Sequence, residues 1–164
     1  MTKADLQLLL PALRRFAYSL TGSRADADDL TQNTLVRLLD HPTPDGVPAA
    51  QWAFRICRNL WIDEYRARRV RQTAQPQIEY ETLTETDGEA QLLNDIQLTQ
   101  VGKALDTLPP EQREVLSLVA VEGMSYQEAA SVLAIPAGTI MSRLARARLA
   151  IANKLKLPGG LTCN

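Results

Sequence analysis

Residues 125–149 read S-Y-Q-E-A-A-S-V-L-A-I-P-A-G-T-I-M-S-R-L-A-R-A-R-L, and this stretch predicts two short helices joined by a tight turn. Ser125 and Glu128 have the spacing of a capping box, in which each side chain satisfies a free backbone amide at a helix start. Gly123 suits the left-handed position that ends the preceding helix. Pro136 ends the first helix of the pair and fits the first turn of the second.

The second helix of this stretch is amphipathic. Its apolar residues recur at spacings of three and four, which predicts one buried face made of Ile140, Leu144, Ala147, Ile151 and Leu155. Outside this face lie Thr139, Met141, Ser142, Arg143 and Arg146, and no acidic residue follows Glu128. This pattern is typical of a helix-turn-helix, whose second helix enters the DNA major groove. It also occurs in helix pairs that are only packing units, so the rest of the chain must decide.

Length and composition restrict the class of protein. A chain of 164 residues holds one domain or two small ones. It contains neither an apolar run of membrane-spanning length nor a signal peptide, so we expect no membrane insertion.

Cys57 and Cys163 form neither a metal spacing nor a disulfide framework, which favours the cytoplasm. His41 has no partner at ligand spacing and is expected in a loop. Without a nucleophile–base pair, metal cluster or phosphate-binding glycine loop, we expect no enzyme, no metal and no cofactor.

Charge is unevenly distributed along the chain. The net charge is −1, but residues 1–71 carry 11 basic and 8 acidic groups, a charge of +3. Residues 72–95 carry six acidic groups and no basic one, and residues 96–164 carry 7 basic and 5 acidic groups, a charge of +2. Local charge governs the approach to phosphates, so the two ends remain compatible with nucleic acid.

The N-terminal half predicts three helices. Apolar periodicity indicates the first over residues 4–21, with a start or kink at Pro11. The second covers residues 26–40 and opens with acidic residues that suit the helix dipole. Residues 41–51 contain three prolines and a glycine and are expected to be a loop. The third runs from residue 51 or 52 to about residue 71.

The third helix combines arginines with aromatic rings. Its C-terminal half is rich in arginine, and the rings of Trp52, Phe54, Trp61 and Tyr65 are interleaved with the cations. Rings that stack on bases beside cations that hold phosphates are typical of single-strand binding. Two other interpretations stay open: that the arginines are a solvated helix end, and that the rings belong to the core.

The order of these segments predicts an all-α protein of two small helical domains. Residues 72–94 lack sustained periodicity and are expected to be an acidic flexible linker between domains at 1–71 and 95–157. The second domain contains helices around residue 95 and after Pro110, then the helix-turn-helix. Residues 158–164 are expected to be a frayed tail.

Four segments together resemble the extracytoplasmic-function (ECF) group of bacterial sigma-70 factors. They are D-A-D-D-L-T-Q-N-T-L-V-R-L at 26–38, W-A-F-R-I-C-R-N-L-W-I-D-E-Y-R-A-R-R at 52–69, L-P-P-E-Q-R-E-V-L at 108–116, and the helix-turn-helix. The resemblance runs from about residue 4 to residue 157. It implies a promoter-recognition subunit of RNA polymerase with a sigma-2-like three-helix domain and a sigma-4-like domain.

The resemblance also implies site residues. The residues expected to contact the coiled coil of the polymerase beta-prime subunit are Asp28, Asp29, Leu30, Gln32, Asn33 and Arg37. Asn33 stands where the family usually has a glutamate. Recognition and opening of the −10 element fall to Arg55, Arg58, Asn59, Arg66, Arg68 and Arg69. The helix after Pro136 is expected to read the −35 element with Thr139, Met141, Ser142, Arg143 and Arg146.

Two positions of the helix-turn-helix depart from the family pattern. Met141 stands where the family commonly has a lysine, and Ala134 where it has a glycine. The resemblance further implies core RNA polymerase (beta-prime coiled coil and beta flap), promoter DNA and an anti-sigma factor as partners. Two alternatives stay open: a sigma-like decoy that binds an anti-sigma factor, and a plain helix-turn-helix regulator. The D-A-D-D-L-T-Q segment argues against the regulator, and the arginine and Asn59 cluster argues against the decoy.

Overall fold

The computed structural model describes residues 2–74 and 102–155. In these ranges the chain forms helices only, which confirms the predicted all-α class. They are α1 (Lys3–Thr21), α2 (Arg24–Asp40), α3 (Ala49–Ala74), α4 (Pro110–Leu116), α5 (Tyr126–Leu133) and α6 (Ala137–Leu155). Residues 102–106 are also helical. The linker predicted at 72–94 lies outside the described residues except for its first three, which continue α3. The tail at 158–164 lies outside them entirely.

Helix ends follow the local signals of the sequence. Thr2 and Asp5 form a capping box at the start of α1, and Ser125 and Glu128 form the predicted one at the start of α5. Gly22 ends α1 in the left-handed conformation at φ 70°. Its amide donates to the Tyr18 carbonyl at 2.8 Å. These caps satisfy backbone groups that a helix end leaves unpaired.

Of the two alternatives predicted at Pro11, a helix start is wrong, because α1 begins eight residues earlier, at Lys3. α1 continues through Pro11, whose side chain is exposed. A proline inside a helix frees the carbonyl four residues earlier, that of Gln7, from its usual donor. On an exposed face water can satisfy that carbonyl, so the helix tolerates the proline.

The helix that begins as α4 widens into a π-helical segment, Ser117–Val121, which no pattern in the sequence indicated. Its end is closed by the Met124 amide, which donates to the Leu118 carbonyl at 3.1 Å. Gly123, at φ 69°, makes the reversal into α5 possible.

The main hydrophobic core is shared by both halves of the chain. Leu13 and Phe16 of α1, fully buried, belong to the same cluster as Leu118 of the π-helical segment and Val132 of α5. α3 packs on α5, and α1 packs on the π-helical segment. A second, smaller cluster joins Ala104 and Leu108 to Ala147 and Ile151 of α6. The two helical domains therefore form one closed arrangement.

Candidate nucleic-acid interface

The face of α6 that packs inward is the predicted one. Ile140, Leu144 and Ala147 are at most 1% exposed, and Ile151 is 7% exposed. The opposite side carries the predicted −35 residues: Met141, Ser142 and Arg146 are exposed, while Thr139 and Arg143 are half-buried. The structure therefore places all five on or at the edge of one solvent-facing side of this helix.

The turn between α5 and α6 sets the angle of this face. Ala134 adopts the left-handed conformation, with φ 55° and ψ 44°, and its amide donates to the Ala130 carbonyl. The Ile135 amide donates to the same carbonyl at 3.1 Å. The Pro136 carbonyl then accepts from the Thr139 amide at 3.0 Å, which starts α6. A left-handed residue flanked by these bonds is the usual way to end a helix and redirect the chain.

The arginines of α3 fall into two groups. Those of the C-terminal half are exposed, and Arg69 lies 5.9 Å from the centre of the Tyr65 ring. Glu64 accepts from Arg68 at 3.1 Å and from Arg71 at 3.0 Å. Exposed ion pairs of this kind are weak, so these arginines can exchange them for phosphates. Arg66 is exposed as well.

The second group is covered by the C-terminal domain. The Arg58 guanidinium donates to both carboxylate oxygens of Glu114, at 2.7 and 3.2 Å, and to Asn59 Oδ1 at 3.1 Å. Arg55 donates to the backbone carbonyls of Val132, at 3.3 Å, and Ser131. Two arginines predicted to hold an opened DNA strand are therefore bonded within the protein.

Glu114 is the most buried acidic group in the described part of the chain, at 1% exposure. Burial raises the pKa of its carboxyl, while the hydrogen bonds and charge of Arg58 lower it, and the nearby charge of Arg143 lowers it further. The charges of one arginine from the predicted −10 set and one from the predicted −35 set therefore act on this carboxylate.

The predicted docking residues lie on α2. Asp28, Asp29, Gln32, Asn33 and Arg37 are exposed, whereas Leu30 is 8% exposed and belongs to the core. Leu30 faces inward because it lies on the apolar side of α2, and it also lines the cleft beside this face. Beside this face is a cleft of about 610 Å³, lined by residues that include Asp29, Asn33, Arg37, Asp106 and Arg113.

Two of the rings that the sequence offered as base-stacking platforms are core residues. Phe54 is 5% and Trp61 7% exposed, and Phe54 meets Phe16 edge-to-face with centroids 5.2 Å apart. Trp52 and Tyr65 remain half-buried. The open alternative, that rings in α3 serve the core, is therefore correct for Phe54 and Trp61.

Five charged groups at the contact between the two domains were not singled out from the sequence: Arg15, Asp106, Arg113, Glu114 and Glu122. Arg15 pairs with Glu122, and Arg113 pairs with Asp106 while donating to the Ser19 carbonyl. One signal was available for Arg113 and Glu114: they directly precede Val115, which is fully buried in the same helix. His41, as expected, lies at the end of α2 in the loop. Within the described ranges no cluster of His, Cys, Asp or Glu could hold a metal ion, and every helix there is too short or too polar to cross a bilayer.

Comparison with known proteins identifies the class of both domains. Residues 6–71 match the family model "Sigma-70 region 2", and residues 98–151 match "Sigma-70, region 4". The ECF RNA polymerase sigma factor EcfG of Rhodopseudomonas palustris (strain TIE-1) is 40% identical over 160 residues, which cover 94% of this chain and 85% of that protein. The chain therefore belongs to the ECF sigma factors of the sigma-70 family.

Two solved structures share this architecture. The sigma factor RpoE of Bartonella quintana, in complex with the anti-sigma factor NepR, is 33% identical, with a TM-score of 0.80 over 95% of this chain and 97% of that one. CnrH, in complex with the cytosolic domain of CnrY, is 28% identical, with a TM-score of 0.67 over 93% and 88%.

Proposed function

We propose that this ECF sigma factor directs RNA polymerase to promoters by reading two DNA elements, one with each helical domain, residues 1–71 and 95–157. The assignment of the −35 residues rests on the outer side of α6, which presents hydroxyl and cationic groups on a helix that contains no carboxylate. Duplex DNA attracts such a surface through its phosphates, and side chains near the helix start reach the base edges. In this role the chain performs no chemistry of its own.

Helix α3 binds the −10 element. Arg55, Arg58 and Asn59 hold an opened strand at the centre of the helix, and Arg66, Arg68 and Arg69 hold its backbone further along. Because Phe54 and Trp61 are core, the half-buried Trp52 and Tyr65 are the rings left for a base. A cationic groove with few stacking rings binds the backbone more strongly than it selects sequence.

The polymerase and a regulator are the proposed protein partners, in the cytoplasm. The exposed polar residues of α2, Asp28, Asp29, Gln32, Asn33 and Arg37, face the beta-prime coiled coil, and the second domain contacts the beta flap. An anti-sigma factor controls the protein. Support comes from the sigma factor RpoE of Bartonella quintana, whose structure was determined with the anti-sigma factor NepR and matches this chain with a TM-score of 0.80 over 95% of its length.

Transcription from a cognate promoter with core polymerase tests the assignment on α6. Arg143→Ala is expected to reduce run-off product and −35 duplex binding by about 5- to 150-fold, since a specific base contact is worth about 1–3 kcal/mol. Lys154→Ala is the matched control, because it removes one charge from the exposed last turn of the same helix. Equal loss in both variants would show that Arg143 contributes only charge, and no loss in either would reject the assignment.

A further inference from the structure

Met141 is an apolar residue on the side of α6 that the proposed function assigns to the −35 duplex. Its side chain is 50% exposed, and it packs against neither of the two hydrophobic clusters in the described part of the chain. Nearby apolar residues of the same helix behave differently, because Ile140 is 0% and Leu144 is 1% exposed. The packing of the fold therefore gives no reason for an apolar side chain at residue 141.

The outer surface of α6 leaves this side chain uncovered. Residues three or four positions apart are neighbours on a helix surface. On the outer side of Met141 these neighbours are Gly138 and Ala145, and both are exposed. An added Cβ at Gly138 would meet no atom within 4 Å. Met141 therefore protrudes between two shorter residues.

The position of Met141 along α6 is one from which bases can be reached. The helix begins at Ala137, so Met141 is in its second turn. In helix-turn-helix proteins the N-terminal residues of the second helix contact the base edges. Leu149, which is 61% exposed, lies eight residues later, about 12 Å further along the helix axis. Leu149 therefore faces a different part of the duplex from Met141.

The chemistry of a thioether restricts what Met141 can recognise in DNA. Its sulfur has no hydrogen to donate and is a weak acceptor, so it forms no strong hydrogen bond with a phosphate or a base amine. In the major groove the bases present hydrogen-bonding groups, and thymine alone adds an apolar group, its C5 methyl. Methionine is flexible and polarisable, which suits it to contact with such a group.

We infer that Met141 selects thymine at one position of the −35 element, through contact between its thioether and the C5 methyl group. This inference rests on the proposed function, because it requires the outer side of α6 to face the major groove. It adds the chemical identity of the group that Met141 contacts. Hydrogen bonds from the polar residues of the same side read other positions of the element.

Replacement of thymine by uracil tests the contact, because uracil pairs with adenine in the same way and lacks only the C5 methyl group. Holoenzyme is reconstituted from the full chain and core RNA polymerase, and each thymine on either strand of a cognate −35 element is replaced in turn. At the position that Met141 reads, uracil is expected to weaken promoter binding about three- to fivefold, the value of one buried methyl-sized group.

Variants of α6 assign the effect to a residue. Met141→Ala is expected to bind the thymine and uracil promoters equally at that position, while Met141→Leu, which keeps an apolar side chain, retains most of the difference. Leu149→Ala is the matched control, since it removes an exposed apolar side chain from the same helix, and it is expected to retain the full difference. A lysine at residue 141 would keep its methylene groups over the same methyl, so alanine is the informative substitution.

Three results would overturn the inference. The first is the absence of any uracil-sensitive position in the unmodified chain. The second is a sensitivity that persists in a folded Met141→Ala chain, because another residue would then contact the methyl group. The third is a Met141→Ala chain that binds core polymerase more weakly without DNA and shows no altered uracil response, which would place Met141 at a protein contact. Circular dichroism establishes that the variant folds.

A methylated cytosine provides the converse measurement. At the uracil-sensitive position a C·G pair removes the thymine, and 5-methylcytosine restores the methyl group alone. The unmodified chain is expected to bind the methylated promoter about three- to fivefold more tightly than the unmethylated one, and Met141→Ala is expected to bind the two equally. Equal binding of both promoters by the unmodified chain would contradict the methyl contact.

Arg143→Ala separates a failure of this inference from a failure of the proposed function. If Arg143→Ala weakens −35 binding and uracil has no effect at any position, α6 reads the −35 element without Met141, and only this inference is wrong. If Arg143→Ala, Met141→Ala and every uracil substitution leave binding unchanged, the assignment of α6 to the −35 element is wrong as well.

Discussion

Ala134 is the residue whose substitution most directly tests the backbone of the helix-turn-helix. It is an exposed alanine at φ 55°, the only non-glycine residue with positive φ in the described ranges. The left-handed conformation costs an L-residue about 1–2 kcal/mol. Glycine avoids that cost but loses about 0.5–1 kcal/mol more conformational entropy on folding. Because Ala134 is exposed, little packing is lost, and we expect Ala134→Gly to stabilise the protein by about 0.5–1 kcal/mol.

Urea denaturation of the full chain, followed by circular dichroism, measures this effect. Ala145→Gly is the matched control, since Ala145 is exposed in the interior of α6 and glycine there costs about 1 kcal/mol. The same chemical change should therefore move the unfolding midpoint in opposite directions, with free energies of unfolding about 1.5–2 kcal/mol apart. A midpoint that falls as far for Ala134→Gly as for Ala145→Gly would refute the left-handed turn.

Two further predictions concern Met141 and Cys57. Met141 is 50% exposed, and a lysine at this position should add a phosphate contact. Met141→Lys should therefore tighten binding to cognate and scrambled duplexes alike and steepen the slope of log binding constant against log salt concentration by about one. A gain limited to the cognate duplex would contradict this. Burial raises the pKa of Cys57 from 9.0 to about 12, so its neutral thiol stabilises the fold below pH 9 and that contribution disappears as the pH rises towards 12. In a Cys163→Ser chain at pH 8, alkylation of native Cys57 should be about 1,000-fold slower than in urea, and rates within tenfold would show that the thiol is accessible.

Local features of this fold could be predicted from the sequence because their causes lie within a few residues. The capping box of Ser125 and Glu128 spans one helical turn, and the buried face of α6 repeats every three or four positions. Both are confirmed. Pro11 shows the limit of such rules: a helix breaker on an exposed face leaves the helix continuous, and exposure depends on the tertiary structure.

The interdomain contacts could not be predicted in this way. The groups that meet are distant in sequence: Arg58 and Glu114 are 56 residues apart, and Arg15 and Glu122 are 107 apart. No spacing rule connects them. The sequence presented Arg55 and Arg58 as cations without partners, which favoured a role in binding an external polyanion. Their partners in the closed arrangement are a carboxylate and two carbonyls of the same chain.

Glu114 is influenced by one arginine from each of the two proposed DNA-reading surfaces. It binds Arg58 directly, and the charge of Arg143 is close enough to lower the pKa of its carboxyl. A carboxylate accepts the same pair of hydrogen bonds from an arginine as a phosphate does. The Glu114 carboxylate can do so only while the two domains remain together. Opening would expose Glu114 to water, which restores its hydration and removes the cost of its burial. The free energy lost when the ion pair breaks is therefore partly recovered by solvation of both charges.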